Sequence, residues 1–389
     1  MHQSIRKLYV NATIYLPEGP VRGGKLLVGP TGRIEGVGDA DWQPPPDEPA
    51  PIVDAGGFGI MPGLIDVHVH GGGGFQMMDA TFESVNGMSR FHAAHGTTAF
   101  LATTGTASVA DTRSAVRNAV AAMAAGTDGA ELLGIHLEGP FLNAVRAGAQ
   151  NKAHLRPATI AELELYAADA PGAIRQMTIA PEIEGAAEAI RWLLERGIAV
   201  SLGHSDATYA QAEEAVRLGA TMTTHHFNGM RPLHHREPGL TGAGLALPQL
   251  TTELIADGIH VHPAVVKLLF DLKTADGVCA ITDAVSCAGL PDGEYGHKVM
   301  TNGAIYLKDG SSLAGSSLTM IAALRNALRF TGYAPERVLP SFTTVPARLT
   351  GAQHRKGALA VGMDADFIVV DADLQLQATY VKGRQVYGR

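Results

Sequence analysis

The sequence has few cysteines, few charges and no long apolar run, and each shortage excludes a class of protein. Its 389 residues include only two cysteines, Cys279 and Cys287, which excludes a disulfide framework and a zinc site made of four cysteines. Charged residues make up 17% of the chain and hydrophobic residues 46%, a balance that argues against intrinsic disorder. No stretch approaches the roughly 18 uncharged apolar residues of a membrane helix, so we expect no membrane partner.

The net charge argues against nucleic acid as a partner. It is −8 at pH 7, because 30 Lys and Arg residues oppose 38 Asp and Glu residues. Nucleic-acid binding is typical of basic proteins, so we expect no nucleic-acid partner. The apolar segment Leu8-Tyr9-Val10 is too short for the core of a signal peptide, and we therefore expect a cytoplasmic protein.

Short β-like runs bounded by Pro and Gly occupy both ends of the chain. They cover residues 7–15, 25–28, 33–37, 365–370, 378–381 and 385–387, with a Pro44-Pro45-Pro46 stretch after the third run. We expect one small β-sandwich domain built from both termini, residues 1–58 and 352–389. The catalytic domain then spans residues 59–351.

Apolar runs and alanine-rich helical stretches alternate through the middle of the chain. The apolar runs are residues 60–67, 97–102, 132–137, 177–180, 198–202, 221–227, 252–256 and 278–282. The clearest helical stretches are 107–125, 184–196 and 207–218, the last with Ser205 or Asp206 as its expected N-cap. Eight strands alternating with helices predict an α/β fold, a (β/α)8 TIM-like barrel. A doubly wound sheet is the alternative, but the sequence lacks a Gly-rich dinucleotide fingerprint.

Histidines and carboxylates stand at the C-terminal ends of the predicted barrel strands. Period-two alternation places His68 and His70 on one face at the end of the first strand. The later strands end on Glu138, His204, His225 and Asp283. Strand ends meet at one mouth of a barrel, so these side chains predict a site for one or two divalent metals. His136 and His226 neighbour the ligands, and we expect both to point away and support the structure around them.

Seven motifs resemble those of one enzyme family. They are Pro62-Gly63-Leu64-Ile65-Asp66, His136-Leu137-Glu138-Gly139-Pro140, Gly203-His204-Ser205-Asp206-Ala207-Thr208, Arg236-Glu237-Pro238-Gly239-Leu240, Ala256-Asp257-Gly258-Ile259-His260, Thr282-Asp283-Ala284 and Gly315-Ser316-Ser317-Leu318-Thr319-Met320. With these stretches the chain resembles, over nearly its whole length, the N-acetylglucosamine-6-phosphate deacetylases of the amidohydrolase superfamily. The resemblance implies metal-dependent removal of the N-acetyl group from a phosphosugar, in amino-sugar catabolism.

The resemblance also implies a role for individual residues. Glu138, His204 and His225 would hold the principal metal, His68 and His70 a second one, and Asp283 would be the general acid and base. Zinc is the expected ion, one or two per chain, with iron, manganese or cobalt as alternatives. Arg236 and His260 would bind the 6-phosphate, one of them reaching in from the other subunit of a homodimer. The remaining expected substrate contacts are Ala149, Gln150, Asn228, Gly229, Ala314 and Gly315.

Gln150 departs from the family pattern, which usually has a histidine near the scissile amide. Glutamine donates a neutral hydrogen bond but carries no proton or charge to the reaction. We therefore expect a weaker or altered activity, or a somewhat different N-acyl amino sugar such as the galactosamine epimer.

Other functions have weaker support in the sequence. Gly203 to Ala207 imitates a nucleophile elbow around Ser205, but Ala207 stands where that motif has glycine. The segment 19–26 imitates a P-loop but ends in Leu26 instead of Ser or Thr. Cyclic-amide hydrolases would need a lysine near the third or fourth strand end, and Ile179-Ala180-Pro181-Glu182 has none. A non-catalytic scaffold would not need a full set of ligands together with Asp283.

Overall fold

A computed structural model describes residues 6–45 and 50–388. Residues 1–5, 46–49 and 389 of the predicted β domain, with Pro46 of the proline stretch, lie outside the described residues. Among the helices of the described ranges, none combines the length and the apolar composition needed to cross a membrane.

The described chain begins and ends in β-structure and alternates strands with helices between. The strands are β1 (Lys7–Leu16), β2 (Gly19–Val28), β3 (Ile34–Gly38), β4 (Ile52–Asp54), β5 (Gly59–Pro62), β6 (Leu64–Val69), β7 (Gly71–Gly72), β8 (Phe75–Gln76), β9 (Thr97–Thr104), β10 (Glu131–Glu138), β11 (Ile174–Ile179), β12 (Ala199–Leu202), β13 (Met222–Thr223), β14 (Thr251–Ile255), β15 (Val278–Ile281), β16 (Gly293–Tyr295), β17 (Lys298–Thr301), β18 (Ala304–Leu307), β19 (Phe367–Val370), β20 (Leu376–Val381) and β21 (Arg384–Gly388). The α-helices are α1 (Phe82–Ala93), α2 (Val109–Ala125), α3 (Ile160–Asp169), α4 (Ala186–Glu195), α5 (Tyr209–Leu218), α6 (Gly239–Ala246), α7 (Pro263–Lys273), α8 (Met320–Thr331), α9 (Pro335–Val338) and α10 (Thr344–Leu349).

Eight parallel strands form the predicted (β/α)8 barrel, in the order β6-β9-β10-β11-β12-β13-β14-β15. The end of β6 is linked to the segment that follows β15, because the backbone N–H of Asp283 donates to the carbonyl of His68 at 2.9 Å. The buried Asp66 adds a second link, accepting from the Thr282 hydroxyl at 2.5 Å. Burial raises the pKa of Asp66 to about 7. The barrel fold predicted from the alternation of runs is therefore confirmed.

The first predicted barrel strand is divided between two sheets. β5 pairs with β1 and β19 in the terminal sheet, whereas β6 pairs with β9 in the barrel. The chain crosses between them at Gly63, whose N–H donates to the carbonyl of Asp366 at 3.0 Å. A Cβ at Gly63 would lie 2.1 Å from the Thr98 hydroxyl oxygen, so only glycine fits at this crossing. The uninterrupted run 60–67 concealed this division.

Helix α5 begins later than expected, because the two predicted caps have other partners. The Ser205 hydroxyl donates to Glu182 at 2.7 Å, and the backbone N–H of Asp206 donates to the same carboxylate at 2.6 Å. Thr208 is the N-cap instead, and its side chain forms a capping box with Gln211. The prediction of Ser205 or Asp206 as N-cap was therefore wrong.

Strands from both termini form one sheet in the order β21-β20-β19-β5-β1-β2-β3, with β4 paired to β1. Its core includes the rings of Tyr9, Phe367 and Tyr380, with centroids 5.2 Å apart for the first two and 4.3 Å apart for the last two. The expectation of a β unit made from both chain ends is confirmed. The exact boundaries, 1–58 and 352–389 against 59–351, stay a prediction, and β5 lies in the terminal sheet.

An ion-pair network joins this terminal sheet to the barrel. Glu131, at the start of β10, lies 3.0 Å from the Arg355 guanidinium and 2.7 Å from the buried Lys356 ammonium. Lys356 also pairs with Asp366, next to β19. Burial opposes ionisation of Glu131, but the two cations outweigh it and lower its pKa to about 2.

We expect Glu131→Gln to destabilise the junction by about 3 kcal/mol, because it removes a carboxylate that neutralises the buried Lys356 ammonium and the Arg355 guanidinium. A carboxyl with its pKa lowered from 4.5 to about 2 stabilises the fold above its ordinary pKa. This contribution is lost as the pH falls through that interval, so the variant and the wild type should converge in acid. Thermal unfolding against pH measures the difference. Glu214→Gln, at an exposed pair with Arg217, is the matched control and should leave the profile unchanged.

Candidate metal centre

Side chains from three barrel strand ends meet at one carboxylate. Glu138 is the last residue of β10, while His204 and His225 follow β12 and β13. Glu138 Oε1 lies 3.3 Å from His204 Nε2 and 3.1 Å from His225 Nε2, and the two Nε2 atoms are 3.0 Å apart. All three side chains are buried at the bottom of the mouth.

The hydrogen bonds of the two rings fix which nitrogen faces the centre. His204 Nδ1 lies 2.9 Å from the carbonyl oxygen of Arg146. His225 Nδ1 lies 3.1 Å from the carbonyl oxygen of Asn228. A carbonyl only accepts, so each Nδ1 donates, and each Nε2 is left facing Glu138. Three electron-pair donors this close fit a cation, since ligands at about 2.0–2.1 Å from tetrahedral zinc lie roughly 3.3 Å apart.

A second cluster shares the same carboxylate. His70 Nε2 lies 3.1 Å from Glu138 Oε2 and 3.3 Å from Asp283 Oδ1. His68 Nε2 lies 3.3 Å from Glu138 Oε1 and 3.6 Å from Asp283 Oδ1. His68, His70 and Asp283 thus form a second group of candidate ligands, and Glu138 stands between the two groups. These two groups would hold one or two divalent cations, with Glu138 in contact with both groups.

The backbone at the site is held in an unusual conformation. His204, His225 and Asp283 have φ values of 47°, 31° and 50°, in the left-handed region that non-glycine residues seldom adopt. Three such residues at one barrel mouth indicate local strain maintained for the position of their side chains. The turn at His225 also explains why β13 covers only Met222–Thr223, a correction to the predicted run 221–227.

The carboxylates of the centre are ionised in this environment. Burial alone would raise the pKa of Glu138, but the His68 charge and the close approach of His204 and His225 hold it well below its usual range. The pKa of Asp283 is also lowered, with burial again outweighed by His68 and His70. The pKa of His68 is raised well above its ordinary value. Burial opposes this shift, but the carboxylates around the ring outweigh the effect of burial. The site therefore concentrates negative charge that a cation would neutralise.

Glu253 is a functional candidate that the sequence reasoning missed. It lies on β14, fully buried, with Oε2 2.9 Å from His68 Nδ1 and 3.1 Å from the backbone N–H of His225. Gln176 donates to its other oxygen at 2.6 Å. A carboxylate on the far nitrogen orients a metal-binding imidazole and makes it a better donor. The sequence did contain a sign of this role: a glutamate inside the apolar run 252–256 is expected to be buried. A buried charge needs partners, so such a residue is a candidate for supporting a site.

The two neighbouring histidines behave differently. His226 points away from the centre as expected, bonds to the Thr223 hydroxyl at 3.0 Å, and has its pKa lowered to about 3 by burial and the Lys273 charge. His136 does not point away: its ring lies 4.6 Å from the ring of His68, and its Nε2 is 2.7 Å from the Thr178 hydroxyl. The expectation that His136 points away was wrong, because positions two apart on β10 share a face with Glu138, whereas its contact with His68 agrees with the expected supporting role.

A cavity of about 500 Å³ opens above the centre. It is lined by most of the residues expected at the site, namely His70, Glu138, Ala149, Gln150, His204, His225, Asn228, Gly229, His260, Asp283, Ala314 and Gly315. His68 lies deeper, within 3.3 Å of Glu138. The structure therefore brings the expected ligands and nearly all expected substrate contacts to one mouth.

Arg236 lies outside this cavity. It is exposed on the loop before α6, and its guanidinium bonds to the neighbouring His235 at 2.8 Å. His260 lines the cavity, with Nδ1 held 2.6 Å from the Asp257 carboxylate. Its own chain therefore does not bring Arg236 to the substrate, and its role at a partner's site stays a prediction.

The Gln150 amide is fixed from both ends. Its Oε1 accepts from the backbone N–H of Thr106 at 2.8 Å, and its Nε2 donates to Glu138 Oε2 at 2.5 Å. One amide hydrogen thus bonds the shared carboxylate, and one remains for a ligand in the cavity. Gln150 is positioned both to orient Glu138 and to face the substrate.

The structure excludes the nucleophile elbow at Ser205 and the P-loop at residues 19–26. The Ser205 hydroxyl donates to Glu182, and no histidine of the described residues bonds to it, so it is not a nucleophile in a hydrolase triad. The residues of the P-loop imitation, 19–26, lie in β2 and form no loop for a phosphate.

Comparisons with known proteins agree with this geometry. The model of the Amidohydrolase family matches residues 60–386. The chain is 40% identical over 365 residues to the N-acetylglucosamine-6-phosphate deacetylase of Vibrio furnissii, covering 93% of this chain and 90% of that protein. It is 37% identical over 328 residues to the N-acetylgalactosamine-6-phosphate deacetylase of Escherichia coli O157:H7, covering 84% and 87%.

A solved structure has the same architecture. The chain resembles N-acetyl-D-glucosamine-6-phosphate deacetylase from Mycobacterium smegmatis with a TM-score of 0.91 and 31% identity, over 98% of this chain and 99% of that one. That protein was solved as an aspartate-to-alanine variant in complex with N-acetyl-D-glucosamine-6-phosphate.

Proposed function

The chain belongs to the amidohydrolase family, and from that premise we propose that it hydrolyses the N-acetyl group of N-acetyl-D-glucosamine 6-phosphate. The products are D-glucosamine 6-phosphate and acetate, and the reaction belongs to amino-sugar catabolism in the cytoplasm. One observation carries the proposal: the Glu138 centre and Asp283 share one cavity, in a chain 40% identical to such a deacetylase over 93% of its length.

The proposed cofactor is zinc, one or two ions per chain, with iron, manganese or cobalt as alternatives. Glu138, His204 and His225 would hold the principal ion, and His68 and His70 the second. A divalent cation at this centre lowers the pKa of a bound water and polarises an amide carbonyl. Metal analysis of the purified protein at saturating zinc tests the stoichiometry, and one ion per chain would contradict the second position.

Asp283 is the proposed proton carrier. Its lowered pKa leaves it ionised and able to accept a proton from the attacking water. The same carboxyl then returns that proton to the nitrogen of the leaving amine. This second transfer matters as much as the first, because an unprotonated amine is a poor leaving group. Asp283 lies 3.3 Å from His70 Nε2, which holds its carboxylate at the edge of the centre.

The rest of the cavity orients the sugar. Asn228 and Gly229 follow His225, so their position is tied to the metal centre. Ala314 and Gly315 form another part of the cavity wall, and the backbone N–H of Ala314 is anchored to the carbonyl of Ile305 at 2.9 Å. Holding the amide between these walls places it against the centre and limits the approach of other water molecules.

Acetate release from N-acetyl-D-glucosamine 6-phosphate, with and without a chelator, tests the proposed reaction. Metal-dependent release supports the proposal, and activity that survives complete metal removal opposes it. N-acetylgalactosamine 6-phosphate is the second candidate, because the chain is 37% identical to a deacetylase named for that substrate. Comparison of kcat/KM for the two epimers in the same assay decides between them.

We also propose a homodimer in which Arg236 or His260 reaches the partner's cavity. The exposed position of Arg236, outside its own cavity, supports this arrangement. Mixing an Arg236→Ala chain with a chain inactive at Asp283 tests it. Recovery of activity in the mixed dimer supports a shared site, and no recovery argues against one.

Gln150→His should raise kcat by about tenfold, because an imidazolium forms a stronger, charge-assisted bond to the amide carbonyl than a neutral amide does. Gln150→Ala should instead weaken metal binding by about 10-fold, since it removes the hydrogen bond that orients Glu138. Steady-state kinetics and metal titration measure the two effects. Unchanged rate and substrate preference in Gln150→His would show that the missing histidine is unimportant.

A further inference from the structure

A small antiparallel sheet, β16-β17-β18, covers one side of the cavity and was not predicted from the sequence. Its residues Met300 and Ile305 are buried in a cluster with Val285, Cys287 and Ala314. Val285 follows Asp283 by two positions, and Ala314 lines the cavity. We name this sheet, residues 293–307, the flap. Its inner face rests on the loops that surround the reacting group.

One charged side chain lies on the inner face of the flap. Lys298 is two positions before Met300 on β17, so alternation places both side chains on the same face. Lys298 is paired in register with Leu307, and Met300 with Ile305. Lys298 lines the same cavity as Asp283 and Glu138. An ammonium is therefore directed into the cavity from a face that is otherwise apolar at these positions.

The Lys298 ammonium does not stabilise the described part of the fold through a polar contact. Within the described ranges it makes no hydrogen bond or ion pair, whereas Lys308 beside the same sheet pairs with Glu294 at 2.6 Å. Burial lowers the pKa of Lys298, and the nearby Cys287 and Asp283 oppose that effect. Desolvating a cation without a partner is unfavourable, which indicates that its partner is supplied by a ligand.

We propose that Lys298 binds the phosphate of the substrate, an inference that rests on the proposed function. A phosphate dianion entering this cavity needs cationic donors, and Arg236 of the same chain lies outside it. His260 also lines the cavity, and because Asp257 holds its Nδ1, its Nε2 is the ring nitrogen left for a ligand. Lys298 is the lysine that this chain itself places in the described cavity wall. The flap thus supplies a charge for recognition, and its loops close the wall beside Ala314.

Lys298→Met tests the proposal, because methionine keeps the apolar stem and removes the charge. We expect KM for N-acetyl-D-glucosamine 6-phosphate to rise about 10- to 100-fold, the range for one charged hydrogen bond, with kcat changed far less. Unphosphorylated N-acetylglucosamine should be hydrolysed by variant and wild type with the same kcat/KM. Lys298→Arg should retain most of the affinity. Lys308→Met, on the outer side of the flap region, is the matched control and should behave as wild type.

Binding of inorganic phosphate separates this proposal from the proposed function. Calorimetric titration of the metal-loaded protein should show weaker phosphate binding in Lys298→Met than in Lys308→Met, whatever substrate the enzyme hydrolyses. Equal phosphate affinity in the two variants would overturn the role of Lys298. An equal loss of kcat/KM for phosphorylated and unphosphorylated sugars would also overturn it, because Lys298 would then act near the N-acetyl group instead of the phosphate. An inactive wild type that still shows the Lys298-dependent phosphate binding would overturn only the choice of substrate.

Discussion

Asp283→Asn is expected to lower kcat by about 10³-fold or more while leaving the fold and the principal metal position intact. Asparagine has nearly the same shape, but it neither accepts a proton from water nor delivers one to the amine. General acid–base catalysis typically contributes about 10²–10⁴-fold, and here one carboxyl performs both transfers. KM should change much less than kcat, because the cavity walls that orient the sugar remain.

The measurement pairs steady-state kinetics with metal content. Glu138, His204 and His225 are unaltered in Asp283→Asn, so the principal ion should remain bound. Asp373→Asn, an exposed aspartate in the terminal sheet's turn, controls for the change of charge. A variant that loses turnover and metal together would show that Asp283 acts mainly as a ligand. Activity within tenfold of wild type would remove Asp283 from the proton transfer.

Most of the candidate centre could be predicted because barrel topology fixes where strand ends meet. Glu138 and His225 are 87 positions apart in the chain, yet their side chains approach to 3.1 Å. The prediction required only that each residue follows an apolar run in an alternating pattern. Alternation along one strand was equally sufficient for His68 and His70, whose Nε2 atoms lie 3.3 Å apart.

The supporting residues could not be predicted, because their roles depend on contacts between strands that no single run encodes. Glu253 reaches His68 across 185 positions, and nothing local to β14 indicates which ring it orients. Lys298 belongs to an inserted sheet whose placement is decided by packing on Val285 and Ala314. The split at Gly63 was hidden for a related reason, since two consecutive apolar strands entering different sheets look like one long strand.

The largest effect on metal binding is expected for Glu138, because both candidate positions share its carboxylate. In Glu138→Gln the amide side chain is neutral, so the centre loses the charge that faces four histidine Nε2 atoms. We expect at least a 100-fold loss of metal affinity, well beyond the effect of altering a supporting residue, and a comparable or larger loss of turnover. Metal content after dialysis and unfolding temperature with added zinc give readouts that do not depend on activity.

Comparison with His70→Ala distinguishes a shared ligand from one that serves a single ion. His70 touches Glu138 Oε2 and Asp283 but is not among the ligands of the Glu138, His204, His225 group, so its loss should remove only the second ion. Glu138→Gln should remove both, whereas Glu188→Gln on the exposed face of α4 should remove neither. Equal metal content in Glu138→Gln and His70→Ala would mean that the two metal positions do not share the Glu138 carboxylate. This difference in metal content is expected because the Glu138 carboxylate contacts both groups of ligands: Oε2 faces His70, whereas Oε1 faces His68, His204 and His225.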